Sequence, residues 1–122
     1  MYIKIDKADK LFSQYIRQKA AWKCEYCGKD YSDNKQGLAC SHYWGRRREN
    51  TRFDPDNCMA LCYYHHMQLG HGDGRDEYRE IMIKRLGQKG FDLLQMRANT
   101  MKKKDRRMAL IVIKELLKTL EE

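Results

Sequence analysis

Two short pairs of metal-seeking residues, Cys24-x-x-Cys27 and Cys62-x-x-His65, bracket the stretch CEYCGKDYSDNKQGLACSHYWGRRRENTRFDPDNCMALCYYHH. Nothing else in the chain limits its fold so tightly. Zinc takes four ligands in a tetrahedron, drawn mainly from thiolate and imidazole. Two ligands separated by two residues suit a tight knuckle whose backbone N–H groups also point at the sulfurs. Gly28, just after Cys27, tolerates the positive φ such a knuckle uses. A second pair of the same spacing, with 34 residues between, completes the set. Cys24, Cys27, Cys62 and His65 are therefore the candidate ligands of a structural zinc. A competing arrangement pairs Cys58 with Cys62 at i, i+4 on a helix and displaces His65. The repeated two-residue spacing favours His65 and leaves Cys40 and Cys58 as small buried hydrophobes. Redox thiols are the other reading of a C-x-x-C pair.

A chain of 122 residues is expected to form a single domain, 1–122. Loops and metal ligands leave little of it for a core, and a structural zinc supplies about 10–16 kcal/mol of apparent folding free energy in small modules. The formal net charge of +8 points to a polyanionic partner. Nucleic acid is favoured over membrane, because no apolar run approaches the ~20 residues of a spanning helix. Met1–Asp6 does not read as a leader. The expected compartment is then reducing, where five cysteines, an odd number, mean metal and free thiols, not bridges.

The periodicity of apolar residues predicts an N-terminal helix over 7–23, with Leu11, Phe12, Tyr15 and Ile16 on its apolar face. The zinc core follows over 24–69. Within it a strand is expected over 38–44, a loop over 46–55, a second short strand near Thr51–Phe53, and a helix from about Cys58 to Leu69 capped by Asp56 or Asn57. Residues 73–98 read as helical in two pieces, broken near Gly87 or Gly90. Residues 99–104 read as a basic linker and 105–121 as a C-terminal helix, free to dock on the first helix or on a second copy of the chain. The fold class is α+β, mostly helical: a zinc-stabilised ββα-metal core with flanking helices.

Hydrolysing a phosphodiester needs an activated water and a cation to absorb charge on the phosphorane. A neutral imidazole is a good base near neutral pH, and a divalent ion stabilises both the developing charge and the leaving oxygen. His42 at a strand end would face the helix carrying His66. The order Cys24/Cys27, Ser41-His42, Asn57, Cys62/His65, His66 resembles the zinc-containing HNH endonucleases. The resemblance implies His42 as general base, Asn57 as the group that fixes the loop or helps bind metal, and His66 as metal ligand or phosphate contact. The segments KLFSQYIRQKAAWKCEYCGK, SHYWGRR, TRFDPDN and EYREIMIKRLG extend it, over about residues 9–98, to the phage NinG (Rap) recombination proteins, which are structure-directed nucleases acting on branched DNA. It implies a catalytic Mg²⁺ or Mn²⁺, and, for a phage product, the cytoplasm of a bacterial host. Two departures stand out. Ser41 occupies a position where many HNH enzymes carry Asp or His, and His65 replaces a cysteine. His71, Asp73 and Asp76 lie where they could compensate for Ser41.

Arg46, Arg47, Arg48 and Arg52 suit bidentate phosphate contacts beside the cleavage centre. Lys102, Lys103 and Lys104, with Arg97, Arg106 and Arg107 about them, form a second basic cluster. The leading expectation is an HNH-type DNA endonuclease, and a homodimer suits symmetric cutting of a junction. The rivals are a zinc-stabilised DNA-binding accessory protein without chemistry and a zinc-linked protein-interaction domain. Taken singly, His42 also reads as a packed core histidine, Asn57 as a helix cap, and the arginine run as a solvated loop.

Overall fold

The computed structural model describes residues 4–121. Residues 1–3, on which part of the no-leader expectation rests, and residue 122 lie outside them. Helix α1 (Lys7–Lys19) opens with a reciprocal cap: the Asp6 carboxylate accepts from Asp9 N–H, and the Asp9 carboxylate from Asp6 N–H. It buries Ala8, Phe12, Tyr15 and Ile16, the face that the three- and four-residue spacing predicts. The helix stops short of the expected residue 23. Ala21 N–H bonds Gln18 O and Trp22 N–H bonds Arg17 O, a Schellman-type ending with Ala21 and Trp22 at φ 55° and 61°. Left-handed backbone costs a non-glycine residue about 1–2 kcal/mol, so the turn needs support. Trp22 supplies it by packing under the Arg17 guanidinium, 5.1 Å away, and the Lys35 ammonium, 4.6 Å away. The reversal aims the chain at Cys24.

Strands β1 (Leu38–His42) and β2 (Cys58–Cys62) pair antiparallel, with Leu38 opposite Cys62 and His42 opposite Cys58. Helix α2 (Glu49–Arg52) lies in the connection between them. Helices α3 (Tyr63–His71) and α4 (Arg75–Ala98) follow, and α5 (Arg106–Thr119) closes the chain. The fold is α+β, with one two-stranded sheet among the described residues. Helix α1 contacts both strands, and so does α3. All five residues of β2 are buried between these layers. The core joins Phe12, Tyr15 and Ile16 to Leu38, Met59, Leu61, Leu69, Tyr78, Met82, Phe91, Leu94 and Ile113.

Three expectations between residues 49 and 71 are corrected. Cys58–Cys62 is a strand, not the start of the helix, which begins at Tyr63. A short apolar run buried on both faces has no period that separates strand from helix; cross-strand pairing settles it here. Thr51–Phe53 is not the second strand. Residues 49–52 instead make one helical turn, and Thr51 N–H bonds Arg48 O. Neither Asp56 nor Asn57 caps α3. Asp54 caps a single 3₁₀ turn over Pro55–Asn57 by accepting from Asp56 N–H, and the N-cap of α3 is Cys62. Helix α4 is interrupted at Gly87, whose φ of 77° and ψ of 161° end one helical segment and admit the next. Asp105 caps α5 by accepting from Met108 N–H. Helix α5 docks on α1, buries Ile113 and leaves Met108, Ile111 and Val112 exposed. No helix among the described residues is long and apolar enough to cross a membrane.

Candidate metal centre and the residues around it

The Schellman-type turn after α1 leads into a knuckle. Lys23 bridges to Asp30, Cys24 N–H bonds Lys29 O, and Gly28 N–H bonds Cys24 O with Gly28 at φ 77°. Cys62 is the N-cap residue of α3 and His65 its third residue, positions whose side chains converge over a helix start. His65 Nδ1 lies 3.1 Å from Cys62 Sγ, and the Tyr26 ring packs over the His65 ring with centroids 4.3 Å apart. The knuckle docks on the sheet through Glu25: its N–H bonds Ala60 O, and its carboxylate accepts from Ala60 N–H at 2.6 Å. As a result the donor atoms of Cys24, Cys27, Cys62 and His65 all lie within 4.8 Å of one another. Burial alone would push the Cys24 thiol up, but backbone N–H groups of Cys27, Cys62 and Tyr26 aim at its sulfur and hold it below the ordinary thiol value. The four donors can hold a metal ion, and three sulfurs with one imidazole are compatible with zinc.

His42 and Ser41 are consecutive on β1, so they face opposite sides of the sheet. Ser41 points to the α3–α4 side, where its hydroxyl shares a 2.9 Å hydrogen bond with Tyr78. His42 packs on α1, its ring centroid 6.2 Å from that of Phe12. The expectation that His42 faces the helix bearing His66 is thereby corrected. The alternation of the strand sends base and helix histidine to different faces.

The His42 ring is fixed by Arg52 O, 2.9 Å from Nε2. A carbonyl only accepts, so Nε2 carries the proton and Nδ1 keeps the lone pair. Burial, only partly offset by that hydrogen bond, lowers the imidazole pKa to about 4. Asn57, fully buried, ties the loop together: its Oδ1 accepts from Trp44 N–H, and its Nδ2 donates to Trp44 O and Thr51 O. It thereby holds the segment that presents the Arg52 carbonyl. His66 lies on the Ser41 side with Nδ1 buried and unpartnered. The His71 ring stands edge-on to the His66 ring at 5.0 Å, and burial holds the His66 imidazole pKa below its ordinary value. A Cβ at Gly70 would sit 3.7 Å from Ser41 Oγ and 3.8 Å from His66 Nδ1. The glycine thus keeps a small polar recess open between them.

The basic residues separate into two kinds. Arg52, read from sequence as a phosphate contact, is buried and committed. Its Nε and Nη2 grip the Asp9 carboxylate at 2.9 and 2.5 Å, and Nη2 also reaches Lys4 O. Arg106 is likewise held by Asp6 and Glu49. The Asp6 carboxyl, though burial works the other way, is held down to about 2 by Arg106, the Asp9 N–H and Arg52. Arg46 instead lines a cleft with Lys10, Ser13, Arg17 and His42. Lys10 and Arg17 were legible only as the polar side of α1. Arg48 stacks on Trp44 at 4.8 Å and donates to Asn99 Oδ1 at 2.6 Å. That contact brings the arginine loop against the 99–104 segment, so Arg47, Arg48 and Lys102 line one cleft. Lys103 and Lys104 are exposed beside it.

Two outcomes follow for measurement. Cys27 is exposed, and an exposed substitution away from any site changes stability by about 0.5 kcal/mol or less. As a metal ligand, Cys27→Ser should instead cost several kcal/mol in urea denaturation and lose the bound ion; a shift within the surface range contradicts the centre. The second concerns pH. A histidine whose folded pKa is depressed favours the fold fully above the unfolded value of about 6.5. That contribution is lost as pH falls towards about 4 for His42. The stability difference between the parent and His42→Gln should therefore shrink steadily from pH 6.5 downward; a constant difference contradicts the neutral, half-buried ring.

Compared with protein-family models, curated proteins and solved structures, the chain matches none.

Proposed function

We propose that this protein is a metal-dependent DNA endonuclease of the HNH type, its ββα-metal core stapled by zinc at Cys24, Cys27, Cys62 and His65, and that it cuts branched recombination intermediates. The observation that carries the reading is the setting of His42. Its Nε2–H is pinned to a backbone carbonyl, its Nδ1 lone pair is left over, and its ring borders a cleft lined by Lys10, Arg17 and Arg46. An imidazole held in one tautomer beside Lys10, Arg17 and Arg46, with Asp9 on the same cleft, can take a proton from water next to a phosphate, though a pKa of about 4 makes it a weak base at neutral pH. Asn57 supports it by fixing the loop that bears the Arg52 carbonyl.

Consecutive Cα atoms are about 3.8 Å apart, so His42 and Ser41 flank the same end of β1 from its two faces. The recess at Ser41, His66 and Gly70 offers one unpartnered imidazole nitrogen and one hydroxyl shared with Tyr78. That donor set suits an ion that accepts imidazole, such as Mn²⁺, better than Mg²⁺, which favours anionic oxygen. An ion held there would supply a Lewis acid for developing negative charge. Arg46, Arg47, Arg48 and Lys102–Lys104 would hold the backbone by charge and shape, without reading bases.

The rival, a DNA-binding module without chemistry, draws on Ser41, whose hydroxyl stands where a carboxylate would bind a hard cation better. One assay separates the two. Purified protein is incubated with duplex, branched and single-stranded DNA and Mn²⁺ or Mg²⁺. The nuclease reading expects nicking that falls about 10²–10⁴-fold in His42→Ala and His66→Ala, with DNA binding retained and weakened steeply by salt. Salt-sensitive binding without nicking under either metal supports the rival.

A further inference from the structure

A second set of soft donors lies on the same face of the sheet as Cys62. Leu38, Cys40 and His42 alternate onto the α1 side of β1, and Cys58, Ala60 and Cys62 onto the same side of β2, since Leu38 lies opposite Cys62 and His42 opposite Cys58. At the Cys62 end stands the four-donor centre already described. At the other end the Sγ of Cys40, a ring nitrogen of His42 and the Sγ of Cys58 lie within 4.8 Å of one another. The two sets are distinct. Cys58 and Cys62 are about 13 Å apart along the strand, and Glu25 grips both backbone groups of Ala60 between them.

We propose that Cys40, Cys58 and His42 form a second, exchangeable site for a thiophilic divalent cation such as Zn²⁺ or Cd²⁺. Bonds of about 2.3 Å to sulfur and 2.0 Å to nitrogen place tetrahedral donors about 3.5–3.8 Å apart, a contraction of at most about 1.0–1.3 Å from the 4.8 Å within which the three donors lie. Three protein ligands leave the fourth corner to solvent, the arrangement of open metal sites and not of closed structural ones. Cys40 is half-buried and gives access, whereas Cys58 has no exposure at all. A thiolate at Cys58 would be costly alone, and a cation supplies the partner it needs. Packing as an apolar filler accounts for a buried Cys58, but not for the convergence of an imidazole and a second sulfur on it.

Occupancy also has a consequence that rests on the nuclease reading. With Nε2 committed to Arg52 O, a cation takes the Nδ1 lone pair, the same one the base needs. The site then silences cutting when soft metal is abundant.

The test is equilibrium dialysis of the full chain against buffered free Zn²⁺, followed by a Cd²⁺ titration monitored through thiolate-to-cadmium absorption. The parent should hold two ions per chain and Cys40→Ser one, with the urea midpoint of the variant showing an intact fold. Cys58→Ala should give the same count through another ligand. One ion in the parent, or two in both variants, overturns the site. In Mn²⁺-supported nicking, rising Zn²⁺ should inhibit the parent, and Cys40→Ser should need at least tenfold more. A parent that binds two ions and nicks nothing overturns the nuclease reading and leaves the site standing. A parent that nicks but binds one ion overturns the site alone.

Discussion

The close approach of three sulfurs and one imidazole at Cys24, Cys27, Cys62 and His65 is the contact on which the rest of the molecule depends. It joins the knuckle after α1 to the junction of β2 with α3, where Cys62 ends the strand and caps the helix. The other long-range ties of this region are modest: the Glu25 clamp on Ala60, the Tyr26 hydroxyl on Glu77, and packing against a small sheet. Fixing the N-terminus of α3 also fixes His66, one residue beyond His65 and about 100° further round the helix. Cys62 lies opposite Leu38 in the two-stranded sheet, and that register decides which side chains of β1 meet α1 and which meet α4.

Around that hairpin the chemistry is divided by face. The α1 side carries His42 and a cleft lined by Lys10, Arg17 and Arg46 together with Asp9. The α3–α4 side carries Ser41, the unpartnered His66 nitrogen and the recess above Gly70. Between them the Asn57 carboxamide ties the loop to itself by three hydrogen bonds. The part-buried network of Asp6, Asp9, Glu49, Arg52 and Arg106 fastens the start of α1 to α2 and α5. It spends two arginines on architecture. Other cations line clefts at the surface, Lys10, Arg17 and Arg46 in one and Arg47, Arg48 and Lys102 in another.

The proximity of the four donors was legible because ligand spacing is local: Cys-x-x-Cys and N-cap-x-x-N3 each bring two side chains together within one turn. The N-terminal and C-terminal helices were legible from an apolar face of regular period. Cys58–Cys62 was not, because a run buried on both faces carries no period. Arg52 misled because a guanidinium in a polar loop looks the same in sequence whether it meets solvent or a carboxylate 43 positions away in the chain. Cys40 and Cys58 were read as filler because their meeting with His42 depends on cross-strand register, which only pairing reveals. The same register turns His42 away from α3, a consequence of the two-residue period of a strand.

The most direct test of this account is X-ray absorption at the zinc edge on Cys40→Ser protein. The account predicts a first shell of three sulfurs at about 2.3 Å and one nitrogen at about 2.0–2.1 Å. A shell of oxygen and nitrogen alone, or one of four sulfurs without imidazole, would contradict it.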